Sequence, residues 1–80
     1  MKLNLPPLNA LRAFEASARL NSMRRAAHEL NVTPSAVSQQ VQNLEQWIGF
    51  PLLERRARQV QANVEGRAYL AAVSAAFDQI

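Results

Sequence analysis

The sequence predicts a mainly α-helical fold in which three short helices form a core, a small β-hairpin follows, and a longer helix comes last. Two observations predict this order. Apolar residues recur at spacings of three and four along most of the chain, which is the period of an amphipathic helix. Two glycines and four prolines divide this pattern into segments of helical length, and the period is lost only after Pro51. With 80 residues the chain has room for one compact domain.

The first helix is predicted over residues 9–20, directly after a pair of prolines. Its apolar positions lie three or four residues apart and therefore share one face. They are Leu8, Leu11, Phe14 and Ala18. The charged residues Arg12, Glu15 and Arg19 fall on the opposite face, so this helix is expected to pack along its apolar side.

A second helix of about two turns is predicted from Met23 to Leu30. Ser22 is its predicted N-cap, because a serine hydroxyl accepts a hydrogen bond from the unpaired N–H groups of a first turn. The inner face of this helix is predicted to consist of Met23, Ala26, Ala27 and Leu30.

A third helix is predicted from Pro34 to Ile48. Thr33 offers it a capping hydroxyl, and the missing N–H of a proline costs nothing at a first helical position. Gly49 supplies the left-handed residue that ends it. The inner stripe of this helix is Val37, Val41, Leu44 and Ile48.

The second and third helices, with the three residues between them, fit a helix-turn-helix. The two backbones of this motif approach closely at their crossing, where the chain places the small Ala27. Leu30 and Val32 are predicted to fill the corner between the helices. The sequence therefore predicts a motif that presents the outer face of its second helix to a partner.

That outer face is polar and uncharged. It carries Ser35, Ser38, Gln39, Gln42 and Gln46, and no charged residue lies between Pro34 and Leu44. A solvated helix of this length usually carries pairs of opposite charge, whereas hydroxyls and carboxamides are the groups that pair with base edges in the DNA major groove. The face has two interpretations: an ordinary polar surface, or a surface that contacts base edges.

The arginines favour the second interpretation. Basic residues outnumber acidic ones nine to six, the net charge is +3, and Lys2 is the only lysine. Arg24 and Arg25 open the second helix, and three more arginines lie in the hairpin, so positive charge flanks the neutral face on both sides. Phosphates bind such flanking charge while bases are read between them. The alternative is internal pairing, of Arg25 with Glu29 or of Arg55 with its neighbour Glu54.

After Pro51 the pattern predicts two short strands, at 52–55 and 58–61, around a turn near Arg56 and Ala57. The strand signal is weak, since Val60 is the only β-branched residue and the turn contains no glycine. A last helix is predicted over 64–80 with Asn63 as its N-cap. It is rich in alanine, and its apolar stripe is Leu70, Val73, Phe77 and Ile80.

The run LRAFEASARLNSMRRAAHELNVTPSAVSQQVQNLEQWIGFPLLERR resembles the amino-terminal winged helix-turn-helix of LysR-type transcriptional regulators. The shared marks are the Arg-Ala-Ala of the second helix, the Val-Thr of residues 32–33, the Ser-Ala-Val-Ser of residues 35–38, the Leu44-Glu45 step and Gly49 ahead of Pro51. The opening LPPLNALRAFEA is similar to the branch of that family that includes the glycine-cleavage activator and the β-lactamase regulators.

The resemblance implies sequence-specific binding of double-stranded DNA, with the third helix in the major groove and the hairpin acting as a wing on the phosphates or in the minor groove. The residues expected in the groove are Pro34, Ser35, Ser38, Gln39 and Gln42. Those expected at the DNA backbone are Ser22, Arg24, Thr33, Arg55, Arg56 and Arg58. The family usually has arginine at the position of Gln39, so a preference for adenine over guanine is expected there.

The resemblance also implies a division of the chain. Residues 1–62 correspond to the DNA-binding domain and residues 63–80 to the start of a linker helix. In the family this helix pairs with its copy in a two-fold dimer that binds an inverted repeat, and Leu70, Val73, Phe77 and Ile80 are the expected contacts. The alternative is that this helix folds on the core of its own chain. Family members continue into an effector-binding domain, so we expect these 80 residues to be a fragment and any co-inducer to bind outside it.

Other functions are disfavoured by composition. There is no cysteine and His28 is the only histidine, so neither a zinc ribbon nor a multi-histidine metal site is expected, and no cofactor is predicted. The six acidic residues are scattered, which argues against an enzyme. No apolar run has the length of a membrane span, and a bacterial cytoplasmic protein, at the nucleoid when bound to DNA, is expected. The alternative function is a helical protein-interaction module without DNA binding.

Overall fold

The computed structural model describes residues 8–57 and 59–78 of the chain. Within these ranges four helices and one two-stranded antiparallel sheet follow each other in the predicted order. They are α1 (Leu8–Leu20), α2 (Met23–Leu30), α3 (Pro34–Ile48), β1 (Leu53–Arg56), β2 (Gln59–Ala62) and α4 (Val64–Asp78). The mainly α-helical fold with a three-helix core and a small hairpin is confirmed.

The capping residues place the helix ends where the sequence predicts them. The Ser22 hydroxyl accepts the N–H of Arg25 at 3.1 Å, and the Thr33 hydroxyl accepts the N–H of Ala36 at 3.1 Å. Gly49 ends α3 with φ of +102°. The predicted bounds of α2 and α3 are confirmed, and α1 begins one residue earlier than predicted. The capping bonds join residues close together in the chain, which is why these bounds follow from the sequence.

Both strands lie one residue later in the chain than predicted. The backbone N–H of Leu52 donates to the Glu45 carboxylate at 2.7 Å, so the ladder begins at Leu53, which pairs with Ala62. The turn contains Ala57 with φ of +52°, the left-handed conformation that a glycine usually supplies. Arg58, predicted to begin the second strand, lies outside the described residues.

The core forms where α1 packs across α2 and α3. Phe14, Leu44 and Leu52 are its largest fully buried side chains. Phe14 also meets Tyr69 of α4, with ring centroids 5.8 Å apart, which is a favourable aromatic distance. The predicted inner stripe of α3 is confirmed, since three of its members are buried and Ile48 is partly buried against the core.

Two residues predicted to be internal are exposed. Leu8 is 54% exposed because the buried face of α1 begins at Ala10. Val32 is 47% exposed and does not fill the helix-turn-helix corner. Its backbone N–H instead donates to the carbonyl of Ala27 at 3.0 Å, and the corner is closed by the buried alanines of α2 and the partly buried Leu30.

The helix α4 begins beside Pro51 and Leu52, the segment that precedes β1. The side-chain oxygen Oδ1 of Asn63 accepts the backbone N–H of Gly66 at 2.7 Å, which confirms the predicted N-cap. A Cβ at Gly66 would lie 2.0 Å from the backbone oxygen of Leu52, so only glycine fits where α4 passes Leu52. Farther along, Val73 is buried and Leu70 is partly buried within the same chain. Ile80 lies outside the described residues.

Candidate nucleic-acid interface

The outer face of α3 forms an exposed polar surface. Pro34, Ser35, Gln39 and Gln42 are exposed, and Ser38 is half-buried. These are the five residues predicted to enter a groove, and the helix brings all of them to one side. We call this set the reading face. Thr33, which caps the helix, lies exposed at the start of this face.

The reading face contains a hydrogen bond that sequence reasoning missed. The Gln39 side chain donates from Nε2 to Oδ1 of Asn43 at 3.0 Å. Both residues are exposed and lie one turn apart, at the i, i+4 spacing that allows side chains on a helix to meet. That spacing was the available signal for Asn43. The bond restricts the Gln39 carboxamide to fewer orientations than a free side chain would have.

The amino terminus of α2 brings a second set of predicted residues to the same region. Arg24 and Arg25 are exposed there, and Ser22 holds the first turn through its cap. The predicted alternative of a pair between Arg25 and Glu29 is wrong. The Glu29 carboxylate instead pairs with Arg19 of α1.

Arg19 lies between two carboxylates and ties α1 to α2. It donates to Glu15 at 2.8 Å and also bonds to Glu29. Hydrogen bonding to Glu15 and then to Glu29 raises the pKa of Arg19, and the bond from Arg19 holds the pKa of Glu29 below its usual value. This ion-pair network joins the two helices and leaves Arg19 outside the candidate interface.

The hairpin turns its arginines in different directions. Leu53, Arg55, Val60 and Ala62 share one face by the register of the ladder. Three of them are buried against the helices. Glu54 and Arg56 lie on the opposite face and form an ion pair at 3.3 Å. The predicted pairing of Glu54 with Arg55 is therefore wrong, because neighbouring residues of a strand point to opposite faces.

Arg55 contacts the helix-turn-helix directly. Its Nη2 donates to Oγ of Ser38 at 3.0 Å, and its Nη1 lies 3.7 Å from Sδ of Met23. A predicted wing residue is thus bonded to a predicted groove residue. Arg58, the third predicted wing arginine, lies outside the described residues.

Two polar residues fix the hairpin relative to the helices, and sequence reasoning assigned neither this role. Oε2 of Glu45 accepts the N–H groups of Leu52 and Leu53 at 2.7 and 3.2 Å. Asn21 donates from Nδ2 to the carbonyl of Val60 at 3.2 Å and accepts the Val60 N–H at 3.4 Å. The Asn21 contacts join residues 39 positions apart, and the Glu45 contacts reach residues seven and eight positions farther on, past the end of α3, so helical spacing gives no signal for either.

The described residues contain no arrangement suited to metal binding. In the ranges 8–57 and 59–78, no three histidine, cysteine or acidic side chains come together. His28 is exposed. An open hollow of about 190 Å³ between α1 and α3 is lined by alanines, Leu30 and Val32 with Arg12 and Gln40 at its edge, and no carboxylate reaches it. Across the described helices, none is long and apolar enough to cross a membrane.

A helix-turn-helix followed by a two-stranded hairpin beside its second helix defines a winged helix-turn-helix domain. Residues 8–67 match the family described as bacterial regulatory helix-turn-helix protein, lysR family. The match covers more than half of the chain, and the chain therefore belongs to the LysR family of bacterial regulatory proteins.

Relatives of known name are transcriptional regulators. The chain is 46% identical over 80 residues to the glycine cleavage system transcriptional activator of Escherichia coli strain K12, matching 100% of this chain and 26% of that protein. It is 57% identical over 74 residues to the transcriptional activator AmpR of Providencia stuartii, matching 92% of this chain and 25% of AmpR. The chain thus spans about a quarter of the length of these relatives. The predicted resemblance to the glycine-cleavage branch is confirmed.

A solved structure of similar fold contains DNA. The crystal structure of the CbnR DNA-binding domain in complex with DNA superposes with a TM-score of 0.85 and 30% sequence identity, covering 91% of this chain and 84% of that one. This likeness supports both the fold and the family assignment.

Proposed function

We propose that this chain binds double-stranded DNA sequence-specifically, as the DNA-binding part of a LysR-type transcription regulator. The observation that carries the proposal is the uncharged reading face of α3 between exposed arginines of α2 and of the hairpin. Uncharged donors and acceptors suit base edges, and arginines at the margins suit phosphates. The DNA complex of the related CbnR domain supports this role.

We assign Pro34, Ser35, Ser38, Gln39 and Gln42 to the major groove. Ser22, Arg24, Thr33, Arg55, Arg56 and Arg58 are assigned to the DNA backbone. The caps at Ser22 and Thr33 support this assignment, because they fix the amino-terminal ends of α2 and α3, which carry a partial positive charge that suits phosphate. Binding at the nucleoid and a non-catalytic role follow from this assignment.

We also propose a two-fold dimer through α4 that binds an inverted repeat. The alanines of this helix, at positions 68, 71, 72, 75 and 76, are exposed. Small residues allow two helices to approach closely, and a two-fold axis would place two copies of α3 in successive major grooves. Val73 is buried in its own chain and Phe77 is half-buried, so Phe77 and the exposed alanines are the stronger candidates for the contact among the described residues. A co-inducer would bind a further domain of the longer regulator.

The salt dependence of duplex binding tests the proposal. If two protomers neutralise about six phosphates, the affinity should fall by roughly 10³-fold between about 50 and 200 mM salt. Arg24→Ala combined with Arg56→Ala should lower the slope of log affinity against log salt by about two per protomer. Arg67→Ala is the matched control, because Arg67 donates to the Ala62 carbonyl of its own chain at 3.3 Å.

A protein-interaction module without DNA binding is the alternative, and the exposed alanines of α4 favour it. Helix pairing through alanines would respond little to salt. Self-association without measurable binding to random duplexes at about 50 mM salt would reject the DNA-binding function and support the alternative.

A further inference from the structure

Arg55 differs from the other described arginines of the candidate interface, because its guanidinium joins three elements. It belongs to β1, it donates to Ser38 of α3 at 3.0 Å, and it contacts the sulfur of Met23 in α2 at 3.7 Å. A residue that acts only on phosphate has no need of these contacts. Arg55 therefore has a connection to the reading face that its assignment to the wing does not explain.

The direction of the Arg55 side chain follows from the ladder. Arg55 lies opposite Val60, which is buried and bonded to Asn21 through both its N–H and its carbonyl. The side chain therefore leaves a fixed backbone toward α3. Arg56 leaves the next position toward the outer face, where it pairs with Glu54. The two arginines carry the same charge on the same strand, and their side chains point to opposite faces of the hairpin.

The bond limits what the Ser38 hydroxyl can do. A guanidinium has N–H donors and no acceptor, whereas a serine hydroxyl has one O–H donor and two acceptor lone pairs. One lone pair of Ser38 is occupied by Arg55, so its proton must point elsewhere. The adjacent positive charge also disfavours a second donor approaching the same oxygen. Ser38 is thereby biased toward donating its proton.

We propose that Arg55 is a positioning residue that couples the wing to the reading face and makes Ser38 a hydrogen-bond donor in the groove. Ser38 then recognises an acceptor on a base edge, N7 of a purine, O6 of guanine or O4 of thymine, and disfavours the amino groups of cytosine and adenine. The remaining N–H groups of the same guanidinium bind phosphate, so one side chain links backbone contact to base recognition. This inference rests on the proposed DNA-binding function.

Selection from random duplexes tests the coupling. Duplexes bound by the wild-type chain are first selected, and the preference at each base pair is then measured for Ser38→Ala, Arg55→Ala and Arg56→Ala. We expect Ser38→Ala and Arg55→Ala to lose preference at the same base pair by roughly fivefold to tenfold. Arg56→Ala, the matched control, should weaken all duplexes alike and leave every preference unchanged.

A double mutant and a charge-preserving variant complete the test. Ser38→Ala with Arg55→Ala should lose no more preference at that base pair than either single change, because the two residues act as one unit. Arg55→Lys keeps the charge but not the planar fork, so non-specific binding should be retained while the preference at that base pair falls. Thermal unfolding of each variant reports whether the fold is intact.

Three results would overturn the coupling. They are an Arg55→Ala profile like that of Arg56→Ala, additive losses in the double mutant, and full recovery of the base preference in Arg55→Lys. Each of these requires wild-type binding to a selected duplex. If the wild-type chain selects no duplex at all, the proposed function itself fails.

Discussion

Gln39 is the single residue whose chemistry most directly suggests a base preference. One N–H of its Nε2 donates to Asn43, and this leaves the second N–H and the Oε1 acceptor for DNA. Adenine presents the complementary pair, an amino donor at N6 and an acceptor at N7. If Gln39 reads a base as proposed, the bond to Asn43 would orient its carboxamide and leave free the two groups that adenine needs.

Gln39→Ala should weaken binding to the preferred duplex by about 1 to 3 kcal/mol and remove the preference at one base pair. Competition titrations with duplexes that differ at single positions measure both effects. Gln40→Ala is the matched control, because Gln40 has the same side chain but lies beside the hollow between α1 and α3. Equal losses on all duplexes for Gln39→Ala would contradict its role as a base reader.

The role of a single residue was predictable where its hydrogen-bond partner lies close to it in the chain. Ser22, Thr33 and Asn63 cap the helices that follow them, since each bond spans three residues and depends on little else. The Arg19–Glu15 pair likewise has the i, i+4 spacing of a helix. The partner that Arg19 finds in Glu29 and the partner that Arg55 finds in Ser38 were not predictable. These two bonds join residues 10 and 17 positions apart, and only the packing of the elements brings those side chains together.

At the scale of elements, Gly66 decides how closely α4 approaches the segment before β1. Helix propensity alone favours alanine over glycine, so Gly66→Ala would be expected to stabilise α4. The structure predicts the opposite sign, because the new Cβ would lie 2.0 Å from the Leu52 oxygen. That oxygen also accepts the N–H of Asn63 and is held in place.

Gly66→Ala should lower the free energy of unfolding by about 2 kcal/mol or more, as overpacking against fixed backbone does. Urea denaturation measures this change. Ala68→Gly, at an exposed position of the same helix, is the control and should cost about 1 kcal/mol by propensity alone. A Gly66→Ala protein more stable than the wild type would show that α4 does not approach Leu52 this closely.

The order of the elements was predictable from the sequence, while the register of the hairpin was not. Helix bounds follow from prolines, glycines and capping residues that stand beside them in the chain. The strands begin one residue later than predicted because Glu45, seven residues earlier in the chain, takes the N–H of Leu52. An apolar pattern of four residues carries too little information to detect such a contact.

At the scale of the whole molecule, α4 divides its side chains between the core and the solvent. Tyr69 and Leu70 pack against the core and Val73 is buried, while the alanines face outward. The sequence stripe alone left open whether this helix packs on its own domain or on a partner. The structure assigns the first half of the stripe to the domain, so the dimer proposal rests on the later part.

Phe77→Asp should shift the chain from dimer toward monomer, because a carboxylate would be desolvated in an apolar contact. Sedimentation velocity over a concentration series measures the masses. Gln61→Asp places the same charge on the exposed outer face of the hairpin and should leave the mass unchanged. A Phe77→Asp protein with the wild-type mass would instead indicate that Phe77 packs within its own chain.

The two bonds that Glu45 accepts from Leu52 and Leu53 have a kinetic consequence. They hold the carboxyl-terminal half of α3 to the start of the hairpin, so the two elements that we propose to contact DNA would approach a duplex in a fixed mutual arrangement. Little side-chain or loop ordering is then needed after the first encounter. Correct and incorrect sites should therefore be met at similar association rates, and discrimination should reside in how long each complex persists.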